Sequence, residues 1–320
     1  MATPSTTIVD PAFRADVLAG LASPTRAIPA RWLYDRRGSE LFEAITTLPE
    51  YYLTRADTAL LERHSGEVAQ IVGTGGAVVE FGSGSSAKTP ILLRAVKPTA
   101  YVPIDISGDF LRDSAAALHD EFPSLALYPV EADFMGPMEL PAEIARLDKL
   151  GFFPGSTIGN MIAQTAVDLL RGMKSALGVG ANLLIGIDRV KDEGVLLSAY
   201  DDAQGITAEF NLNLLHRINA ELGGTIPVDA FRHKAVWNAP MSRIEMHLEA
   251  VRDVTFTVSG HSFSIPAGET IHTENSHKYG PRDARLLLRA AGWTIVGEWT
   301  GEDDRFALLL AEAEAPRFAP

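Results

Sequence analysis

The stretch Val78-Val79-Glu80-Phe81-Gly82-Ser83-Gly84-Ser85-Ser86-Ala87-Lys88-Thr89 decides the fold of this chain. Its first four residues are typical of a short buried strand, and a run of glycines and serines follows them. Lys88-Thr89-Pro90 then begins an apolar pattern with helical spacing. A strand, a glycine turn and a helix start in this order allow a ligand to approach the backbone closely and to meet the N–H groups of the helix start.

Three kinds of ligand fit this turn. A phosphate bound in a P-loop is the first, but Ala87 replaces the glycine that precedes the lysine of that motif. A dinucleotide is the second, because Gly82-x-Gly84-x-x-Ala87 matches the looser form of its fingerprint. S-adenosylmethionine (SAM) is the third, since SAM methyltransferases resemble this stretch through the acid Glu80 and the Gly-x-Gly turn. A tight turn that binds nothing is the remaining alternative.

Composition narrows the class of protein. The chain has 320 residues, of which 46% are hydrophobic and 22% charged, so it can form a full core in two lobes or in one large domain with an insertion. A net charge of −13 argues against binding nucleic acid or an anionic membrane surface. The absence of cysteine excludes disulfides, thiolate zinc sites and a cysteine nucleophile. With no apolar run near 18 residues and no signal peptide, we expect a cytoplasmic protein. We also expect it to be a monomer.

Predicted strands alternate with predicted helices from Ala77 onward. This spacing predicts a parallel sheet with right-handed crossovers, an α/β fold of the Rossmann-like kind. The last two predicted strands form a hairpin, and an antiparallel final strand on a parallel sheet is typical of SAM methyltransferases. The predicted strands of this sheet are Ala77–Phe81, Tyr101–Asp105, Leu125–Val130, Leu150–Phe153, Leu183–Ile187, Trp293–Trp299 and Phe306–Leu310.

The alternation stops after residue 194, where helices and then antiparallel strands follow. Apolar and polar residues alternate cleanly over Arg243–Ala250, for example. We therefore predict two domains. The first, SAM-binding, domain comprises residues 61–194 and 281–320, and the second, an α+β lobe that binds the substrate, comprises residues 1–60 and 195–280.

Acidic residues at the ends of two predicted strands discriminate between phosphate, a dinucleotide and SAM. Parallel sheets bind ligands at the carboxyl ends of their strands. Asp105 ends the predicted second strand, where an acid can accept hydrogen bonds from both hydroxyls of a ribose; this fits NAD and SAM equally and counts against a P-loop. Asp133 and Phe134 follow the third strand, and an acid for the adenine amino group beside a ring that covers the base is usual in SAM enzymes. A helix N-cap is the structural alternative for Asp133, but the three residues together favour SAM.

Four stretches together resemble one family, the histidine Nα-methyltransferases of ergothioneine biosynthesis. The resemblance extends from about residue 30 to the end of the chain. In mycobacterial members an apolar residue stands where this chain has Asn275, but strand alternation points that side chain away from the pocket. The stretches are Leu48-Pro49-Glu50-Tyr51-Tyr52-x-Thr54-Arg55, Glu80–Thr89, Gly155-Ser156-Thr157-Ile158-Gly159-Asn160 and Ile271-His272-Thr273-Glu274-Asn275-Ser276-His277-Lys278-Tyr279.

The resemblance implies a class I SAM-dependent methyltransferase. Such an enzyme transfers three methyl groups from SAM to the α-amino group of L-histidine, through the mono- and dimethylated forms, and produces Nα,Nα,Nα-trimethylhistidine (hercynine). Contacts with SAM are expected from seven residues on and around the glycine stretch. They are Gly82, Ser83, Gly84, Lys88, Asp105, Asp133 and Phe134.

The resemblance also implies which residues contact the substrate. Asn160 and Tyr200 would hold the carboxylate and the amine, the Tyr51 hydroxyl would contact the amine, and these three are the expected catalytic residues. Glu274 would accept a hydrogen bond from a ring N–H of the imidazole, while the Ser276 hydroxyl could serve the other nitrogen in either role. The remaining expected contacts are Met246, which would pack against the ring, and Tyr34, Phe42, Gly155 and Thr207.

Three other functions fit the same sequence features. An NAD-dependent oxidoreductase would bind NADH and not SAM, and a non-catalytic module would bind SAM or an amino acid without turnover. A SAM methyltransferase that acts on another amino acid would keep the fold and change the substrate. We predict no metal, because the chemistry needs none and because His272 and His277 lie on opposite sides of an extended strand.

Overall fold

The computed structural model describes residues 10–84, 88–106, 108–136 and 138–315. Ser85–Ala87 of the glycine stretch therefore lie outside the described residues. The chain divides into two compact units: the minor unit is Met1–Tyr51 with Asp192–Asn275, and the major unit is Tyr52–Lys191 with Ser276–Pro320. In the described ranges, no helix has the length and apolar character that a membrane span requires.

Helices and strands are numbered separately along the chain. The helices are α1 (Pro11–Ala22), α2 (Arg36–Thr46), α3 (Tyr52–Val72), α4 (Thr89–Val96), α5 (Gly108–Glu121), α6 (Ala163–Leu177), α7 (Glu193–Tyr200), α8 (Ile206–Leu222) and α9 (Pro281–Ala290). The strands are β1 (Ala77–Phe81), β2 (Ala100–Asp105), β3 (Ala126–Leu127), β4 (Val130–Glu131), β5 (Lys149–Phe153), β6 (Asn182–Asp188), β7 (Phe231–Asn238), β8 (Arg243–Ala250), β9 (Val254–Val258), β10 (His261–Ile265), β11 (Thr270–His277), β12 (Trp293–Thr300) and β13 (Phe306–Ala313).

The major unit is built on one sheet with the strand order β12-β13-β6-β5-β1-β2-β3, in which β4 also pairs with β2. Strands β1 to β6 pair in parallel, and β13 lies antiparallel between β12 and β6. This confirms the predicted α/β Rossmann-like sheet and its closing hairpin. The strand predicted over Leu125–Val130 is instead two short strands, because Pro129 has no N–H to continue the ladder.

Apolar residues cover both faces of this sheet. Every residue of β1 is buried, as expected for a central parallel strand. Val79 and Phe81 belong to a core cluster that includes residues of α6 and α9, whereas Val78 belongs to one that includes residues of α3 and α4. Burying one such side chain contributes about 1.5–3 kcal/mol to the free energy of unfolding. Strand β1, which leads to the glycine turn, is therefore packed on both of its faces.

Helix α3 locates the first unit boundary. It continues without a break from Tyr52 and packs against α4 and β13. Residues 52–60, which the sequence analysis placed in the second lobe, are thus part of a helix of the major unit. The assignment of the two units to SAM and to substrate stays a prediction.

The minor unit contains a three-stranded sheet in the order β11-β8-β7 and the hairpin of β9 and β10. Helix α8 packs against β7 and β8. In β8 the side chains of Ile244, Met246 and Leu248 are buried while Glu245 and His247 are half-buried, which confirms the predicted alternation as far as Leu248. Glu249, predicted on the polar face, is also buried. The chain leaves this unit within β11, between Asn275 and Ser276.

Candidate active site

The turn after β1 needs its glycines. Gly82 and Gly84 have φ angles of 71° and 50°, which residues with a Cβ rarely adopt. The N–H groups of Gly82 and Ser83 donate to the carbonyl of Ile104 in β2, at 2.8 and 3.1 Å. A Cβ on Gly82 would lie 3.3 Å from the ring of Phe134. The Phe134 ring therefore lies against the backbone of the turn, and a side chain at position 82 would require this ring to shift.

Asp105, at the end of β2, is tied to the same turn. Its Oδ2 accepts a hydrogen bond of 2.9 Å from the N–H of Gly84, and the Ser114 hydroxyl donates to the carbonyl of Gly84 at 3.0 Å. Ser83 Oγ is buried, and no described residue offers it a hydrogen-bond partner. Since buried polar atoms almost always have a partner, this hydroxyl fits a site that a polar ligand completes.

Asp133 and Phe134 follow β4. Asp133 Oδ1 accepts a 2.9 Å hydrogen bond from the N–H of Met135, which closes a local turn. The Phe134 ring meets Phe153 edge to face, with 5.9 Å between the ring centroids. Phe134 thus stands beside Gly82, and one oxygen of Asp133 bonds to the backbone.

Lys88 is not a solvated surface charge. Its Nζ lies 2.5 Å from Oδ2 of Asp57, which is fully buried in α3, and the same oxygen accepts a 2.8 Å hydrogen bond from the N–H of Gly155. Oδ1 of Asp57 is buried and without a partner among the described residues. Sequence reasoning missed Asp57. An acid four residues from Leu53 and Leu61, in the apolar stripe of a helix, is the signal that could have found it.

Glu80 supports the turn from inside. It is buried and accepts hydrogen bonds from the hydroxyls of Thr89, at 2.7 Å, and Tyr101, at 2.5 Å. Burial raises the pKa of Glu80 to about 7, against the opposing effects of these two hydroxyls and of the charge on Lys88. Glu80, the acid that favours SAM in the sequence, therefore connects β1 to β2 and to the start of α4.

This raised pKa predicts that the protein loses stability as the pH rises from about 5 to 8. Between the usual pKa of 4.5 and the folded value of about 7, the folded state keeps the Glu80 proton that the unfolded chain releases. The free energy of unfolding therefore falls with pH through this interval, by on the order of 3 kcal/mol, and levels off above it. Glu80→Gln should flatten the dependence, which thermal unfolding at pH 5.5 and pH 8 measures.

Glu62→Gln, at an exposed position of α3, is the matched control for this experiment. It should keep the wild-type pH dependence. If the free energy of unfolding fell with pH as steeply in Glu80→Gln as in the wild type, Glu80 would titrate in its usual range.

Asp188, the last residue of β6, is the centre of a buried polar cluster. It accepts hydrogen bonds from the Tyr52 hydroxyl at 2.7 Å and from Lys191 Nζ at 2.6 Å, and it pairs with Lys278 Nζ at 2.8 Å. Lys278 Nζ also donates to the Ser276 hydroxyl at 2.8 Å. Burial lowers the pKa of Lys191 to about 8, although the charge on Asp188 opposes this. Sequence reasoning missed this cluster, whose signal was an acid at the carboxyl end of a parallel strand.

The segment after β5 carries Gly155 and Asn160. Gly155 has a φ of 75°, and Ser156 accepts a 2.9 Å hydrogen bond through its Oγ from the N–H of Asp188. The segment ends in a 3₁₀ helix, Thr157–Asn160, where the carbonyl of Gly159 accepts a 2.9 Å hydrogen bond from Nδ1 of His277. These contacts fix the backbone that presents Asn160 in the major unit.

In the minor unit, four of the predicted residues form a continuous set of aromatic rings. The centroid distances are 5.5 Å from Tyr34 to Phe42, 6.2 Å from Phe42 to Tyr51 and 6.1 Å from Tyr51 to Tyr200, each pair edge to face. Phe210 of α8 extends the set, since its ring lies 5.4 Å from Tyr34. Sequence reasoning did not identify Phe210, which follows the predicted Thr207 by one helical turn.

Glu274 belongs to this aromatic set. The Tyr34 hydroxyl donates to its Oε1 at 3.3 Å, and Glu274 is only 7% exposed. Burial, followed by the charge of Glu274, raises the pKa of Tyr34 well above its usual value, so this hydroxyl remains a donor. A Glu274 turned to solvent would have contradicted the predicted role. Ser276, in the major unit, is likewise buried.

Thr207 and Met246 are also buried in the minor unit. The N–H of Thr207 donates to Oδ1 of Asp202 at 2.7 Å, but its Oγ1 finds no hydrogen-bond partner within the described ranges. The carbonyl of Met246 accepts a 3.0 Å hydrogen bond from the Thr273 hydroxyl. As with Ser83, the buried Thr207 hydroxyl fits a position that a ligand completes.

His272 of β11 lies against His247 of β8. The rings of His247 and His272 stack with 4.7 Å between their centroids, and ligand atoms of both lie within 4.8 Å of one of Glu245. Burial lowers the pKa of each histidine. The Glu245 carboxylate already pairs with Arg243, whose charge opposes a cation there, so we assign no metal to the group.

Comparisons with known proteins identify the family. A family described as "Histidine-specific methyltransferase, SAM-dependent" matches residues 13–313. The histidine N-alpha-methyltransferases of Mycolicibacterium smegmatis and Mycobacterium tuberculosis are 38% and 40% identical to this chain, and each match covers 94% of both proteins. "Ergothioneine biosynthesis protein 1" of Neurospora crassa is 31% identical over 90% of this chain and 33% of that protein.

Solved structures show the same fold. A SAM-dependent methyltransferase from Clostridium acetobutylicum is 11% identical, with a TM-score of 0.50, over 86% of this chain and 99% of that chain. The CcbJ methyltransferase from Streptomyces caelestis is 14% identical, with a TM-score of 0.50, over 88% of this chain and 100% of that chain. At these identities the likeness concerns the fold alone.

Proposed function

Because this chain belongs to the family of histidine-specific, SAM-dependent methyltransferases, we propose that it methylates the α-amino group of L-histidine three times and so produces hercynine for ergothioneine biosynthesis. The observation that carries the choice of substrate is Glu274, a buried carboxylate among aromatic rings. A buried carboxylate accepts hydrogen bonds from N–H groups, and an imidazole ring offers such a group.

The family membership confirms several sequence predictions. The resemblance, the class I SAM methyltransferase fold, the methyl donor and the enzyme class are as predicted. The NAD-dependent oxidoreductase is not favoured. The individual site residues stay predictions and form part of the present proposal.

The α-amino group sets the chemical problem. Its pKa in a free amino acid is near 8, so close to neutral pH most of it is an unreactive ammonium. The protein must hold the amine, let one proton leave and direct the lone pair at the methyl group. SAM supplies that methyl group on a sulfonium, which leaves as a neutral thioether. Holding the reactants in this geometry can account for several kcal/mol of the barrier.

The major unit has the residues that SAM requires. Asp105 would accept hydrogen bonds from the ribose, and Phe134 would cover the base beside Gly82. Ser83 offers a buried hydroxyl without a partner among the described residues, and Lys88 offers an ammonium positioned by Asp57. These features fit an adenosyl ligand that carries an amino acid.

The minor unit has the residues that an ammonium and an imidazole require. Tyr51 and Tyr200 form an aromatic wall, and such a wall attracts a cation by roughly 1–2 kcal/mol. This attraction persists as methyl groups replace the hydrogen-bond donors of the amine. Glu274 would accept from a ring N–H, and Asn160 of the major unit would hold the amino acid backbone.

The decisive experiment incubates the protein with SAM and a mixture of the twenty amino acids and identifies methylated products by mass spectrometry. We expect trimethylhistidine. Methylation of another amino acid would keep the fold and the donor and reject the role of Glu274. Binding of SAM without any product would favour a binding module.

Asp105→Ala is expected to weaken SAM binding by about 10–100-fold, because the hydrogen bonds that a charged carboxylate accepts contribute about 1.5–3 kcal/mol. Isothermal titration calorimetry measures this loss. Asp113→Ala, at an exposed position of α5, is the matched control and should bind SAM normally. Unchanged affinity in both variants would remove Asp105 from the site.

The proposal also covers location and assembly. We propose that the protein acts in the cytoplasm as a monomer, with small molecules as its partners. A net charge of −13 supports the absence of a nucleic-acid partner, since a negatively charged protein repels the phosphates of a nucleic acid. Light scattering of the purified protein measures the oligomeric state.

A further inference from the structure

Ser276 sits next to an unusual lysine. A serine hydroxyl can donate or accept a hydrogen bond, so its residue type does not determine how it would bind an imidazole. Lys278 has no exposed side-chain surface, and its Nζ lies 2.8 Å from Ser276 Oγ. A lysine is almost never fully buried unless it is paired. The contacts of Lys278 therefore need an explanation.

Asp188 holds Lys278 in place. Its buried carboxylate pairs with Lys278 Nζ at 2.8 Å, and its remaining positions receive the Tyr52 hydroxyl and Lys191 Nζ. The carboxylate of Asp188 offsets part of the cost of burying this ammonium. The position of Lys278 Nζ relative to Ser276 is thus set by the end of β6.

An ammonium has three N–H donors and no acceptor. In the contact with Lys278, the Ser276 oxygen must accept, and the Ser276 hydrogen must point to another group. We propose that Lys278, held by Asp188, fixes Ser276 as a hydrogen-bond donor to the unprotonated ring nitrogen of the substrate, so that the enzyme binds histidine with a neutral imidazole. This inference rests on the proposed function, in which Ser276 contacts the imidazole.

The chemistry of the ring gives the selectivity. A neutral imidazole has one N–H and one nitrogen lone pair, whereas an imidazolium has two N–H groups and no lone pair. A donating Ser276 pairs with the lone pair and leaves the second N–H of an imidazolium without an acceptor. Lys278 is therefore a positioning residue that determines which form of histidine is bound.

Kinetics on four variants tests the coupling. Lys278→Met and Ser276→Ala should each raise KM for histidine about tenfold with kcat within about threefold, since each removes one directed hydrogen bond. In the Ser276→Ala background, Lys278→Met should add less than twofold, because its effect acts through the hydroxyl. Lys191→Met is the matched control: it also removes a cation from Asp188, but Lys191 Nζ donates to Asp188 and to the Tyr52 hydroxyl, so KM should stay near the wild-type value.

Two kinetic results would overturn the inference while leaving the proposed function intact. In the first, Lys278→Met and Ser276→Ala multiply their effects on KM. In the second, Lys191→Met raises KM as much as Lys278→Met, which indicates only the loss of charge balance at Asp188. A wild-type protein that does not methylate histidine would instead reject the proposed function.

A spectroscopic test avoids variants that fail to fold. Histidine labelled with ¹⁵N in the ring is bound to the wild-type protein with S-adenosylhomocysteine, and nitrogen chemical shifts are recorded as the pH is lowered through the free ring pKa of about 6.5. We expect one protonated and one unprotonated nitrogen in the bound ring at pH 6. Two protonated nitrogens would contradict a donating Ser276.

Discussion

Glu274→Ala is expected to raise KM for L-histidine about 100-fold while the affinity for SAM stays within about twofold. The substitution removes the acceptor for a ring N–H in a buried setting, which costs about 2–3 kcal/mol. It leaves Asp105 and the glycine turn unchanged, since those lie in the major unit. Steady-state kinetics with histidine and calorimetry with SAM measure the two affinities separately.

Two further variants sharpen this result. Glu274→Gln keeps an acceptor for the Tyr34 hydroxyl but loses the charge, so its KM should lie between those of the wild type and Glu274→Ala. Glu269→Ala, on a half-exposed acid just before β11, should leave KM unchanged. An equal loss of histidine and SAM affinity in Glu274→Ala would indicate a structural role.

Asp188→Asn is expected to lower the free energy of unfolding by about 3–5 kcal/mol, the largest stability effect that we predict. The substitution leaves the buried ammonium groups of Lys191 and Lys278 without their shared anion. A loss of this size lowers the melting temperature by about 10 °C. Calorimetry or circular dichroism measures the shift, and adding Lys278→Met should recover part of it by removing one of the two charges.

An exposed ion pair provides the control for Asp188. Asp229 pairs with Arg252 at 2.8 Å, but both side chains are more than half exposed. Asp229→Asn should therefore cost less than about 1 kcal/mol. If Asp188→Asn were equally mild, the lysines of the cluster would have to be neutral in the folded protein.

Much of the fold follows from local pattern. The run Val78–Phe81, the glycines after it and the regular spacing of strands and helices predicted the parallel sheet and its order of elements. The third strand was predicted as one piece, because the pattern of residue types continues across Pro129. The missing N–H of Pro129 interrupts the ladder only when strands pair. Glu80 was recognised as an acid at the right place, but its bonds to Tyr101 and Thr89 depend on how β1, β2 and α4 pack.

The candidate site, like the fold, was predicted in part from the sequence. By itself the sequence determined the fold class, the family and the residues of its motifs, from Asp105 to Glu274, because these depend on residue order and spacing along the chain. Only the tertiary structure decided that Asp57 holds Lys88 and that Asp188 holds Lys278. Each of these pairs joins residues far apart in the chain, and a buried charge selects its partner by proximity in space and by the cost of leaving it unpaired.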